Sequence, residues 1–419
     1  MGSFSRSSSA QAKAPCVACC KADKGKDDEL AKASAARIAA LSGKPMTPPS
    51  NAAAGPATSY GGPSGRTNSD CAQQARALAP VVQRFDRYRE ALPSARAAAD
   101  MNELGDKPGT EPSTKPCLTR LPVDAAGLNA ALGLPDGKIM DDDLRNDDSG
   151  FRAAMYRDES TGKLILVPRD TQPDSLEDWK TNTRNGEGQD TPQYDAMRQL
   201  TTHLKSSGTD FDIAGYSKGG GLAQEGGLIS SLSQIRVFNS AGLPDSALQW
   251  TNQSGFDDLI GRTKAFSAEG DFLTFMNNTI DSNQIIANSQ FLRQQLEGRG
   301  AGVYPIKIKV RNPAMRGLDD EMFDSDKADY LAEMDQSVER MQAVLQGSGK
   351  VPGFPAVRAM SRETINDSMG TIVASMGGRS GQPNLAKLAQ HRMSVVLDSM
   401  ESNVAKDRKS LQSFLATCG

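Results

Sequence analysis

The stretch that most constrains this chain is Asp210–Gly221, which reads Asp-Phe-Asp-Ile-Ala-Gly-Tyr-Ser-Lys-Gly-Gly-Gly. Phe211 and Ile213 alternate as a strand does, and an Ala/Leu/Gln/Glu-rich helical pattern begins at Leu222. Gly-x-Ser-x-Gly between a strand and a helix predicts a sharp turn with the Ser217 hydroxyl exposed at its apex. Gly215 and Gly219 are required there because a Cβ would meet the neighbouring strand and helix backbones. The amide of Lys218 falls in the first helical turn. Its N–H then points at a substrate oxygen and gains from the positive end of the helix dipole.

The alternation of strand and helix patterns extends the argument to the fold. Strands are expected at 151–157, 163–167, 235–238, 263–268 and 303–310. The first two are joined by the Gly-containing turn Asp158–Gly162. Helices are expected around 192–206, 222–232, 283–299, 321–347 and 384–415. This order predicts an α/β chain with a mainly parallel central sheet flanked by helices, and the elbow specifies an α/β-hydrolase fold. Residues 1–69 are rich in Ser, Ala, Gly and Pro and read as a flexible N-terminal arm, with one short helix candidate around 27–42. Residues 70–150 form a helical N-terminal segment packing on the core, and Pro80 and Pro93 are expected to kink or break the helix over 70–102. Residues 151–419 make the catalytic domain, with 311–384 as a helical insertion or lid. The methionines between Met360 and Met376 would suit lipid chains in that lid, though core packing is the default reading.

Composition excludes several functions. Net charge is −3, with no basic patch pattern, so no nucleic acid partner is expected. No apolar run is long enough to cross a bilayer. Met1–Ser7 has one positive charge and no apolar core, so the chain is expected to be made in a bacterial cytoplasm without a signal peptide. Cys16, Cys19 and Cys20 resemble half a zinc site, but no second pair completes it, so no metal is expected and they read as a thiol cluster. A Cys71–Cys117 bridge is compatible with the sequence without being deducible from it. The acidic run Asp141–Asp148 lacks the spacing of a calcium loop and reads as a solvated turn.

A serine nucleophile needs a base, and the base needs an orienting carboxylate. The chain has two histidines, His203 and His391. In α/β-hydrolases the order is serine, acid, histidine, which selects His391 and leaves His203 to solvent or a neighbouring carbonyl. For the acid, Asp271 follows the strand 263–268 and Asp245 follows 235–238. Position favours Asp271, with Asp245 as the rival and Asp257, Asp258 and Asp281 less well placed. A second oxyanion donor is expected after the strand 163–167, where Thr171 would supply its N–H beside that of Lys218. The scheme needs no metal and no organic cofactor.

From about 150 to 275 the chain resembles the class 3 lipases and their bacterial relatives, α/β-hydrolases acting on lipid esters. Pro168–Thr171 resembles the family's Phe-Arg-Gly-Ser/Thr strand end, which implies an oxyanion role for Thr171. Leu176–Trp179 resembles the acidic-or-amide residue plus Trp that follows. Gly215–Ala223 resembles Gly-His-Ser-Leu-Gly-Gly-Gly-Leu-Ala, and Phe238–Leu243 resembles the strand end Phe-Asn-x-x-Gly. Gly270-Asp271 resembles the family's acid site, and His391 its terminal histidine in role. Three departures stand out. Tyr216 replaces the usual His of the elbow. Lys218 replaces Leu, and as a cation beside the nucleophile it would favour a phosphate-bearing lipid. Asp170 replaces Gly beside the oxyanion residue. The resemblance implies a serine lipase or phospholipase A cleaving membrane lipids. The arm and the lipase body together resemble antibacterial lipase effectors of the type VI secretion machinery. That likeness implies secretion into a target cell, a secretion-apparatus component and a cognate immunity protein as partners. Two other readings fit the same residues: a catalytically silent hydrolase-fold binding protein, and a thioesterase or acyltransferase with the same triad.

Overall fold

The computed structural model describes residues 16–43, 68–105, 107–109, 111–113, 115–172, 175–186, 190–268, 271, 273, 303–306 and 391–419. Its strands are β1 (Leu118–Arg120), β2 (Arg145–Asn146), β3 (Phe151–Asp158), β4 (Leu164–Pro168), β5 (Phe211–Tyr216), β6 (Ile235–Phe238), β7 (Thr263–Ala268) and β8 (Val303–Ile306). They lie in the order β1-β3-β4-β5-β6-β7-β8, and β2 also pairs with β3. β4 through β8 are parallel, and β1, β3 and β4 are antiparallel neighbours. The result is a mixed α/β architecture with a mostly parallel sheet between two helical layers.

Period-two alternation assigns the faces. On β5, Phe211 and Ile213 join one core while Ala214 and Tyr216 join the other. The same split separates Met155 from Tyr156 on β3, and Val237 from Phe238 on β6. Leu200 and Leu204 of α6 (Pro192–Ser206) and Leu222 of α7 (Lys218–Ile229) cover the first face. α1 (Val17–Ser42), α2 (Asn68–Leu104) and α9 (Met393–Cys418) cover the second. β3 and β5 are buried on both faces, so each contributes residues to both cores.

α2 runs through Pro80 and Pro93 as one helix of 37 residues, against the expected break. Each interior proline costs roughly 3 kcal/mol. Val82, Phe85, Tyr88 and Leu92 are buried on the same helix at about 2 kcal/mol of transfer free energy each, which outweighs that loss. Within the arm, the helix candidate around 27–42 begins earlier, at Val17, and Ala31, Ala35 and Ile38 bury it against α2 and α9. The cysteines also depart from the sequence reading. Cys16 bonds Cys19, Cys20 bonds Cys117, and Cys71 bonds Cys418. There is no Cys71–Cys117 bridge and no thiol cluster, because folding brings the start of α2 to the end of α9. Arg84–Asp407, Arg96–Glu401 and Arg408–Asp27 add ion pairs across the same helices. Asp141 and Asp143 of the acidic run are structural: Asp141 accepts from the Ala125 amide and Asp143 from the Met140 amide. The expected helices at 283–299 and 321–347, the insertion 311–384 and the methionines 360–376 lie outside the described residues.

Candidate active site

Ser217 occupies the turn between β5 and α7 with φ 53° and ψ −126°, a conformation that L-residues rarely adopt. Its own backbone is held on both sides: its N–H donates to the Phe238 carbonyl at 3.1 Å, and its carbonyl accepts from Ala241 at 2.8 Å. Close approach explains the flanking glycines. A Cβ on Gly215 would lie 2.1 Å from the Gly219 carbonyl oxygen, and one on Gly219 would lie 2.6 Å from that of Pro168. The second contact also places the end of β4, and the loop leading to Thr171, against the first turn of α7.

His391 lies just before α9 and reaches across to the turn. Its Nε2 is 2.9 Å from Ser217 Oγ, and its Nδ1 is 2.6 Å from Asp271 Oδ1. The Asp271 side chain is fully buried and that of His391 is 12% exposed. Tyr216 packs on the imidazole, with ring centroids 5.2 Å apart. Serine, imidazole and carboxylate are therefore linked in one hydrogen-bonded line, the arrangement in which a base accepts a serine proton while its other nitrogen is fixed by an anion. The rival Asp245 opens a short 3-10 helix over Asp245–Trp250, and Asp258 is paired with Arg262. Asp281 and Gly270 lie outside the described residues. His203, on α6, keeps 34% of its side chain exposed and is bound to Asp143 at 2.9 Å, not to a carbonyl; it takes no part in the site.

Thr171 follows the end of β4 by three residues, and Lys218 follows Ser217 directly. Lys218 is the first residue of α7, where a backbone N–H has no partner within the helix. The Thr171 hydroxyl accepts from Asn182 Nδ2 at 3.0 Å, which fixes its side chain against α5 (Leu176–Gly186).

The Lys218 side chain is not a cation presented to substrate. It is buried, and its Nζ donates to Asp178 Oδ1 and, at 2.7 Å, to Gln193 Oε1. An ammonium in a dry interior must find an anion, and the nearest is the fully buried Asp178. Burial lowers the lysine pKa, and Asp178 opposes that shift. The Asp178 carboxylate also accepts from Gln193 at 2.7 Å and from the backbone N–H of Gln172 at 2.8 Å. Phosphate attraction by Lys218 is thereby ruled out, and the departure from Leu is explained as one half of a buried ion pair. Asp170 is likewise structural. Its Oδ2 accepts from Asn102 of α2 at 2.7 Å, and burial pushes its carboxyl up to about 6 despite Lys218 and Asn102.

The buried pair has a measurable consequence. Lys218→Met removes the nearer of two buried cations beside Asp178, leaving Arg169 Nη2 at 3.5 Å, and is expected to cost about 3 kcal/mol in denaturant unfolding. A single-variant cost under 1 kcal/mol would show that the pair does not hold the turn.

Sequence reasoning did not anticipate Asp178, Gln193 and Asn182 as supports of the turn, nor Asn239 beneath it. Asp178 and Asn239 lie in the Leu176–Trp179 and Phe238–Leu243 patterns, but neither pattern says what the side chain holds; a further signal was indirect. A lysine in an apolar elbow position requires a buried acid somewhere.

No curated protein matches the chain. Residues 122–318 match the family model of the Tle-like phospholipase domain, described as phospholipase-like. That stretch contains Thr171, Ser217, Lys218 and Asp271, and stops short of His391. Over those residues the chain is similar to the Tle-like phospholipase domain, and the match supports a lipid-hydrolysing, lipase or phospholipase activity.

Proposed function

We propose that this chain is a serine carboxylic-ester hydrolase of the α/β-hydrolase fold, of lipase or phospholipase A type, cleaving acyl esters of membrane lipids. The observation that carries the proposal is the line Ser217–His391–Asp271, at 2.9 and 2.6 Å. Ser217 Oγ attacks the ester carbonyl carbon as its proton passes to His391 Nε2. Asp271 stabilises the imidazolium that results. The N–H groups of Lys218 and Thr171 hold the oxyanion. As the tetrahedral intermediate collapses, the C–O bond to the glycerol oxygen breaks and His391 returns the proton to that oxygen. Water then attacks the acyl-serine with His391 again as base, releasing the fatty acid and restoring Ser217. Every proton and bond is accounted for by the chain and water.

The family match favours a lipid ester over a thioester or an acyl acceptor other than water. The silent-binder reading drew on Asp170 and Lys218 as marks of decay. Both instead make buried contacts, Lys218 with Asp178 and Gln193 and Asp170 with Asn102. The effector role belongs to the same proposal. A Tle-like domain fits an exported lipase with a cognate immunity protein and a secretion-apparatus component as partners.

The test is direct. A fluorophosphonate probe should label the wild-type chain at Ser217, and the purified protein should release fatty acid from phosphatidylethanolamine vesicles. Ser217→Ala should abolish both, together with any growth arrest on export to a bacterial periplasm. Full hydrolysis by a folded Ser217→Ala variant sinks the proposal.

A further inference from the structure

The end of β6 and the loop after it touch the backbone of Ser217 and His391, and that of Ala268, three residues before Asp271. The Phe238 carbonyl and the Ala241 amide hold the two sides of Ser217. Between them, Asn239 sits at φ 41°, fully buried, with its own N–H donating to Phe266 on β7 at 2.9 Å. Its side chain spans the acid and the base. Oδ1 accepts from the Ala268 N–H at 2.8 Å, and Nδ2 donates to the His391 carbonyl at 3.1 Å. Ala268 ends β7, and its carbonyl accepts from the Asp271 N–H at 3.1 Å, so the first bond fixes the turn that carries the carboxylate. The second fixes the residue that carries the imidazole.

We infer that Asn239 is a positioning residue that sets the separation and orientation of His391 and Asp271. The inference rests on the hydrolase reading above and adds a device that reading did not require. The two backbone partners also settle which amide atom is which, since an N–H needs the oxygen and a carbonyl needs the nitrogen. Three demands converge on asparagine here. The left-handed φ favours Gly, Asn or Asp. One partner is a donor and the other an acceptor, which excludes glycine and a carboxylate alike. The site is sealed, so a lost partner is not replaced by bulk water.

Asn239→Gly keeps the backbone conformation and deletes both bonds. With the imidazole free to shift by up to an ångström, kcat on p-nitrophenyl butyrate is expected to fall about 100-fold with KM within twofold of wild type. The decisive readout is the same substitution made in the Asp271→Asn background. A residue acting through the His391–Asp271 pair should then cost less than threefold, because the pairing it serves is already broken. An equal 100-fold loss in both backgrounds would mark a general structural defect and overturn the inference, as would wild-type kcat for the single variant. Should the glycine variant fail to fold, Asn239→Asp decides. It retains the acceptor for Ala268 but sets an oxygen against the His391 carbonyl. A tenfold or greater loss of kcat supports the inference, and a smaller loss overturns it. If Ser217→Ala remains active, the hydrolase reading fails first. If Ser217→Ala is inactive and Asn239→Gly is fully active, only this inference fails.

Discussion

Asp271→Asn is expected to lower kcat for ester hydrolysis by about 10⁴-fold while the chain stays folded. The reasoning begins at Nδ1 of His391, 2.6 Å from the Asp271 carboxylate. A carboxylate only accepts, so Nδ1 must carry the hydrogen and Nε2 is left with a free lone pair toward Ser217 Oγ at 2.9 Å. An amide can turn its NH2 to Nδ1 instead. The imidazole then holds its hydrogen on Nε2, facing the hydroxyl whose proton it should remove. The variant also loses the buried anion that stabilises the imidazolium. Both effects act on the transition state more than on substrate binding, so KM should change little. Fluorophosphonate labelling should slow in parallel. A loss smaller than tenfold, with unfolding unchanged, would mean that the pair is not what activates Ser217.

Replacing Cys71 and Cys418 with serine is expected to lower the unfolding free energy by roughly 5 kcal/mol on the chain-entropy account of cross-links. The bridge joins residues separated by 347 positions, among the longest loops the chain can close. Both cysteines are buried, so substitution is a cleaner probe than added reductant. The activity should fall as well, because α9 begins immediately after His391 and the bridge anchors its far end to α2. The ion pairs Arg84–Asp407 and Arg96–Glu401 hold part of that contact and limit the loss. Denaturant midpoints of the wild-type and variant chains measure the effect. A shift equivalent to less than 1 kcal/mol would show that helix packing alone fastens α9.

What could be read from the sequence was local or scarce. The turn at Ser217 is written in adjacent residues, because the Gly215 contact is with Gly219, four positions on. The buried strands announce themselves by apolar runs, and β6 and β7 match their sequence expectations residue for residue. His391 was selected because one other histidine exists, and it precedes the serine. Long-range pairings were not legible. Six cysteines allow fifteen connectivities, and no local pattern chooses among them. The partner of the Lys218 side chain lies 40 residues upstream, and its burial is a property of the packed layers, so the lysine read as a surface cation. The first turns of α1 carry Lys21, Asp23, Lys24, Lys26 and Asp27 and look like tail. The alanines and Ile38 that dock it are small or few. Asn239 read as part of a strand-end pattern, and nothing in its neighbours says that its amide reaches His391, 152 residues away.

The distance along the chain between hydroxyl and imidazole has a consequence for the cell that makes this protein. Ser217 leaves the ribosome with nothing to activate it, and His391 is translated 174 residues later. At typical elongation rates that interval is about 9 to 35 seconds. The imidazole then finds its place only when the late-made helix α9 settles on α2. On the proposed mechanism, a nascent or prematurely terminated polypeptide would carry the serine without its base and would leave the membranes around it intact.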